Sequence, residues 1–163
     1  GMTEDEFSKK AFKTIEETSQ NAVNEIRALI WQLKPVGLEH GLVHALNNYS
    51  HVLNLDLEVH VDGLIDLSNY IEENVYRMIQ EAMNNVRKHA DTNEVFLHLT
   101  QDKAHLIIQI VDSGKGFDLN SINDNTSNGL KNLKQRTHAM DGKIDINSTP
   151  QQGTSISIRI PLK

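Results

Sequence analysis

Apolar positions in the N-terminal stretch FSKKAFKTIEETSQNAVNEIRALIWQLKP fall at Phe7, Ala11, Ile15, Ala22, Ile26, Leu29, Ile30 and Leu33, mostly three or four residues apart. That spacing predicts one long amphipathic helix, stopped near Pro35 and Gly37. At 1.5 Å per residue it would run roughly 40 Å, too long to pack neatly on a small domain, so it is expected to project or to pair with another helix. GLEHGLVHALNNY then sets Leu38, Leu42, Ala45, Leu46 and Tyr49 on one face and predicts a second helix, while LDLEVHV alternates Leu55, Leu57, Val59 and Val61 with polar residues and predicts a strand.

The pattern next lengthens again. NYIEENVYRMIQEAMNNVRKHA opens with Asn69 and Glu72 at the spacing of an N-terminal cap and repeats Ile71, Val75, Met78, Ile79, Ala82 and Val86, a central amphipathic helix. NEVFLHLT and AHLIIQIVD follow as strands around the turn QDK, the second apolar on both faces and therefore interior to a sheet. From Ser113 to Asn128 the chain is poor in large apolar residues and rich in Gly, Asn, Ser and Asp, the composition of a mobile loop or lid. GLKNLKQRTHAMDG predicts a helix with Leu130, Leu133 and Met140 inward and Gly142 beyond its end, and KIDINS and TSISIRIPL close the chain as strands around TPQQG. Neighbouring strands joined by short turns favour antiparallel pairing, with the helices gathered on one face. The expected fold class is α+β, a two-layer α/β sandwich preceded by a long helix.

Composition narrows the function. The chain has 163 residues, about one domain, 38% of them hydrophobic, with neither a leader-like segment nor an apolar run long enough to span a membrane. It has no cysteine, which removes disulfides, thiolate nucleophiles and zinc-cysteine sites and fits a reducing compartment, so a cytoplasmic setting is the default. A net charge of −6 argues against a nucleic-acid partner. The opening Gly1-Met2 reads as an expression remnant ahead of a piece cut from something longer.

The stretch IQIVDSGKGFD carries the first chemical signal. A dinucleotide fingerprint would need a third glycine where Leu119 stands, and a Walker loop would need a Gly-Lys-Ser/Thr ending that is absent. What remains is Asp112 at a strand end, able to accept hydrogen bonds from an amino group, and glycines that let a flat ligand approach the backbone. An adenine exocyclic amine is such a donor. In EAMNNVRKH, Glu81, Asn85 and Lys88 or His89 recur three and four apart and share one helical stripe. An amide oxygen beside phosphates suits Mg²⁺, a hard ion that takes oxygen ligands.

EAMNNVRKHA, DSGKGFD, SNGLKNLKQR and GTSISIRIPL resemble, in order and spacing, the N, G1, G2 and final glycine-threonine boxes of the GHKL (Bergerat) ATP-binding fold. The helix AVNEIRALIWQLKP followed by GLEHGLVHALNNY is similar to the second dimerisation helix and its connection in sensor histidine kinases of two-component systems, of the NarL/DesK/LiaS/VraS type. The resemblance covers nearly the whole chain and divides it at 1–35, the second helix of a dimerisation and phosphotransfer domain, and 36–163, the catalytic ATP-binding domain. It implies ATP and Mg²⁺ as cofactors, with Asp112 reading the adenine amine, Asn85 ligating the metal, Glu81 near the γ-phosphate as an orienting group or base, and Lys88 and His89 near the phosphate tail. It further implies that Gly114, Gly116, Gly129 and Leu130 shape pocket and lid, with Thr154 beside the base. Ser127 stands where many relatives carry a further glycine.

Such kinases form homodimers, pass phosphate to a response regulator and reach the membrane only through other segments. Their acceptor histidine sits on a first dimerisation helix and precedes an acid. None of the eight histidines here precedes an acid, so the acceptor is expected outside this sequence. Two rival functions stay open: a serine kinase or ATPase on the same fold, resembling an anti-sigma factor, and a non-catalytic dimerisation module with a vestigial pocket. Blander readings accompany single residues. His40 and His44 have the spacing of a metal pair but no evident third ligand, Lys131, Lys134 and Arg136 suit a solvated helix face as well as a phosphate, and Trp31 suits helix packing.

Overall fold

A computed structural model of the chain describes residues 1–33, 35–121 and 128–163. The elements run α1 (Glu4–Leu33), a 3-10 turn (Leu38–His40), α2 (Leu42–Val52), β1 (Asp56–Asp62), α3 (Asn69–His89), β2 (Glu94–Gln101), β3 (His105–Asp112), a 3-10 turn (Leu119–Ser121), α4 (Asn128–Ala139), β4 (Lys143–Thr149) and β5 (Gly153–Pro161). The expectations for the Trp31 side chain and for Ser127 lie outside the described residues.

The five strands form one sheet in the order β1-β2-β3-β5-β4. β1 and β2 pair in parallel, as their connection through α3 demands, and every other pairing is antiparallel. β3 is the central strand, in agreement with its apolar sequence. Its face toward the helices, Leu106, Ile108, Ile110 and Asp112, is buried, whereas the opposite face is open enough to leave Val111 38% exposed. The layers are therefore two: helices on one side of the sheet and solvent on the other.

α3 builds the core. Val75, Met78, Ile79, Ala82, Met83 and Val86 are all at most 4% exposed, packed with Leu97, Leu99, Ile108 and Ile158 from the sheet and with Ala45, Leu46 and Tyr49 from α2. Burying each large apolar side chain is worth about 1.5–3 kcal/mol. The cap differs from expectation: Ser68, not Asn69, precedes the helix, with its oxygen accepting from the Ile71 amide at 3.4 Å. Two other helix boundaries depend on backbone geometry. Gly41, at φ 103°, divides the segment expected as one helix into the 3-10 turn and α2. Past α4 the left-handed residue is Asp141 at φ 57°, and Gly142 follows it by donating to Thr137 O at 2.9 Å.

Of the segment from Ser113 to Asn128 expected as a mobile lid, residues 122–127 lie outside the described residues, and its first part is tied down. Lys115 donates to Ala90 O at 2.7 Å, Gln151 donates to Lys115 O at 2.6 Å, and Phe117 donates to Ser148 Oγ at 2.9 Å. These bonds hold residues 115–117 between the end of α3 and the β4–β5 turn.

α1 behaves differently. Phe7, Phe12, Ile15, Ile26 and Leu29 are each 56–72% exposed. Its contacts with the rest of the chain include α2 and one ion pair, Arg87 Nη2 to Glu25 Oε1 at 3.7 Å.

Candidate functional site

The C-terminal half of α3, the first turn of α4, the ends of β3 and β5 and the loop at 115–117 enclose a cavity of about 490 Å³. Of the ten residues expected at the site, nine line it: Glu81, Asn85, Lys88, His89, Asp112, Gly116, Gly129, Leu130 and Thr154. The tenth, Gly114, acts one step back. It packs on α3, where an added Cβ would overlap the Ala90 carbonyl and side chain.

The floor follows from strand register. Ile110 pairs with Ile156 and Asp112 with Thr154, so two apolar residues and then two polar ones face the cavity together. Asp112 is buried, 7% exposed, and its Oδ1 accepts from the Gly114 amide at 2.9 Å. Burial pushes its carboxyl above the ordinary carboxylate range, and the Gly114 and Thr154 amides pull it part of the way back. Thr154 is held by Ser148 at 2.9 Å. Ser148 Oγ also lies 3.1 Å from Gly153 O, to which it can donate, so the pair is anchored to the start of β5.

The other end of the cavity is polar and more open. Glu81 and Asn85 are half-buried one turn apart, and the first turn of α4 lies against them: a Cβ at Gly129 would overlap Glu81 Oε1 and sit 3.0 Å from Asn85 Oδ1. Gly116, at φ 58°, turns the backbone where an added side chain would run into Thr149 O. Lys88 and His89 are exposed at the rim. As part of the basic last turn of α3 they also offset the negative end of its dipole. Two neighbouring oxygen donors, one amide and one carboxylate, fit a hard divalent cation such as Mg²⁺.

Eight further residues line the cavity that were not expected at the site, among them Lys115, Phe117, Asn132 and Ile156. Lys115 lies between the two glycines of the G1 box, so its charge was in view, but its position depends on the bonds to Ala90 and Gln151. Lys131 and Lys134 do not line the cavity, and Arg136 donates to Asn74 Oδ1 at 3.0 Å, tying α4 to α3 away from it. His40 and His44 meet edge to face, with ring centroids 5.3 Å apart, and join no group of three or more metal-ligating side chains among the described residues.

The architecture has counterparts in known proteins. The family described as histidine kinase-, DNA gyrase B-, and HSP90-like ATPase matches residues 70–163. Over 162 residues the chain is 37% identical to the sensor histidine kinase YhcY of Bacillus subtilis (strain 168), covering 99% of this chain and 43% of that protein. It is 29% identical over 163 residues to the sensor histidine kinase LiaS of the same organism, covering 97% and 45% respectively. The chain thus spans less than half the length of these two relatives. Among solved structures, the histidine kinase domain from the Erythrobacter litoralis EL346 blue-light activated histidine kinase matches with a TM-score of 0.63 over 86% of this chain and 74% of that chain, at 17% identity. The mycobacterial sensor histidine kinase MprB matches with a TM-score of 0.58 over 78% of this chain and 96% of that one, at 20% identity. At these identities the structural likeness speaks for the fold, whereas the family match covers all of the cavity-forming elements from α3 to β5. The chain belongs to the histidine kinase-, DNA gyrase B- and HSP90-like ATPases.

Proposed function

We propose that residues 36–163 are the ATP-binding catalytic domain of a sensor histidine kinase and that residues 1–35 are the second helix of its dimerisation domain. The observation that carries the nucleotide assignment is the polarity of the cavity, with a buried carboxylate above an apolar floor at one end and half-buried oxygens and exposed cations at the other.

In this reading the adenine ring lies on Ile110 and Ile156, and Asp112 accepts from its 6-amino group while Thr154 offers lone pairs beside the base. The phosphate tail runs out toward Lys88, His89 and the first turn of α4, whose amides favour anions. Mg²⁺, held through Asn85, neutralises phosphate charge when bound. Glu81 stands where it orients the incoming imidazole or takes its proton. The γ-phosphorus exchanges its bond to the β,γ-bridging oxygen for one to an imidazole nitrogen, ADP leaves, and the phosphoryl group passes on to an aspartate of a response regulator. This chain's contribution is positioning and charge neutralisation. The acceptor imidazole belongs to a segment outside this sequence, since no histidine here precedes an acid. The intact protein works as a homodimer through α1, on the cytoplasmic side of any membrane it is attached to.

Nucleotide competition tests the base-reading step. Guanine places a carbonyl where adenine has its amine, so the wild type should prefer ATP over GTP by roughly tenfold to a few hundredfold. Asp112→Asn should weaken ATP and narrow that preference. If it lowers ATP and GTP affinity by the same factor, Asp112 does not read the base. The chain alone should bind Mg-ATP without labelling itself, and a protein that includes the acceptor should carry acid-labile, base-stable phosphate. Acid-stable phosphate would point instead to a serine kinase, and absence of nucleotide binding to a vestigial pocket.

A further inference from the structure

A second cluster of chemistry-bearing side chains lies on the solvent face of the sheet, on the strand pair farthest from β4. His60 on β1 stands directly opposite His98 on the parallel strand β2, and Asp62 follows His60 by two residues on the same face of β1. His98 Nε2 is 2.7 Å from Asp62 Oδ2, His60 Nε2 is 3.6 Å from Asp62 Oδ1, and the two imidazoles meet edge to face with centroids 5.0 Å apart. One ligand atom from each residue can be chosen so that all three lie within 4.8 Å of one another. Among the described residues no other group of three His, Cys, Asp or Glu side chains meets that condition.

We infer that His60, Asp62 and His98 form a site for a divalent transition metal of the Zn²⁺ class, separate from the nucleotide cavity. Zinc bonds of about 2.0–2.1 Å in a tetrahedron put neighbouring ligand atoms roughly 3.3 Å apart, inside the spread these three already have. The His98–Asp62 contact need open by only about half an ångström, which exposed side chains can do by small rotations. Two imidazole nitrogens and one carboxylate oxygen are donors that suit Zn²⁺ and not Mg²⁺, so the two sites would not compete for the same ion. An exposed His98–Asp62 pair alone would be an ordinary surface contact worth less than about 1 kcal/mol. What it leaves unaccounted for is His60, which converges on the same carboxylate from the position facing His98. A cation between them satisfies all three and leaves a fourth position for water. The ligands come from two paired strands, so their spacing is set by the sheet and needs no folding of a loop. A bound ion would also clip β1, held in the sheet by β2 alone, to its neighbour.

Isothermal titration of ZnCl₂ into the chelator-treated chain tests this, with CoCl₂ absorbance as a spectroscopic partner. Saturable one-to-one binding is expected, with a one-to-one rise in visible Co²⁺ absorbance and a higher melting temperature in the presence of Zn²⁺. His60→Gln and His98→Gln should each weaken binding by about tenfold or more, while His44→Gln leaves it unchanged. Circular dichroism and retained nucleotide affinity establish that the variants are folded. No saturable binding below about 1 mM, or equal binding by the wild type and the His60→Gln/His98→Gln double variant, would overturn the assignment.

Discussion

α1 and α3 are the two longest helices of the chain, and both carry an apolar stripe at helical spacing, yet they use it in opposite ways. α3 closes its stripe against the sheet, α2 and α4, with Val75, Met78, Ile79 and Met83 wholly buried. α1 leaves Phe12 at 72% and Ile15 at 61% exposed. Periodicity records that a face seeks burial and does not say where the covering surface is. For α3 that surface lies in the same 163 residues. For α1 the described part of the chain does not supply it, and a second copy is the occupant that the proposed function names.

The largest break in this comparison should come from shaving the two stripes. Ile79→Ala in α3 is expected to cost about 2–5 kcal/mol in urea unfolding, whereas Ile15→Ala in α1 should change the stability of the body by less than about 0.5 kcal/mol. If Ile15→Ala costs as much as Ile79→Ala, α1 is part of the same cooperative core.

The polar face of α3 sharpens the contrast, because it looks into the cavity while its apolar face holds the fold. Asn85→Ala should weaken Mg-ATP binding roughly tenfold to a hundredfold, with a much smaller loss when Mg²⁺ is chelated and no change in the unfolding midpoint. Equal losses with and without Mg²⁺ would make Asn85 a structural residue.

A smaller effect concerns the acid that faces this helix across the cavity. Burial raises the Asp112 carboxyl in the folded state, so the protonated form is the one the fold favours. Stability from this group is fully present below the ordinary carboxylate value of about 4 and is lost as the pH rises through the raised value. Asp112→Asn should therefore melt above the wild type at neutral pH, and the gap should close in thermal scans taken below about pH 4. A gap that does not vary with pH would mean that the charge is not what the fold disfavours.

The smallest effect should lie between the two helices themselves. The Arg87–Glu25 pair spans 3.7 Å with Glu25 largely exposed. Arg87→Ala is expected to cost less than about 0.5 kcal/mol, and less still at high salt. A larger, salt-insensitive loss would show that α1 is fastened to the body by more than this contact.

How far the sequence could be read follows the same division. The α3 stripe, the apolar run of β3 and the four boxes, three of them glycine-bearing, are local patterns, and they located the central helix, the middle strand and nine of the residues that line the cavity. The misses are non-local or depend on dihedral angles. Asn69 has the chemistry of a cap, but Ser68 is the residue whose extended backbone precedes the helix. Gly41 interrupts an apolar pattern that gave no sign of a break. Phe117 reaches the cavity because its amide bonds to Ser148, 31 residues away, a pairing fixed only once β4 and β5 have folded back. Ile156 lines the floor through its register with Ile110.

The sheet order has a consequence for crowded solution. β1 and β4 are the outermost strands, and among the described residues each has a strand neighbour on one side only. Their solvent faces alternate charge and polarity, with Asp56, Glu58 and Asp62 exposed on one and Lys143, Asp145 and Asn147 on the other. A foreign strand adding to either flank would have to bring its own side chains up against these groups, so the ladder resists growth into aggregates. The two flanks of the sheet are thereby poor sites for self-association, which the proposed function places on the exposed apolar stripe of α1 instead.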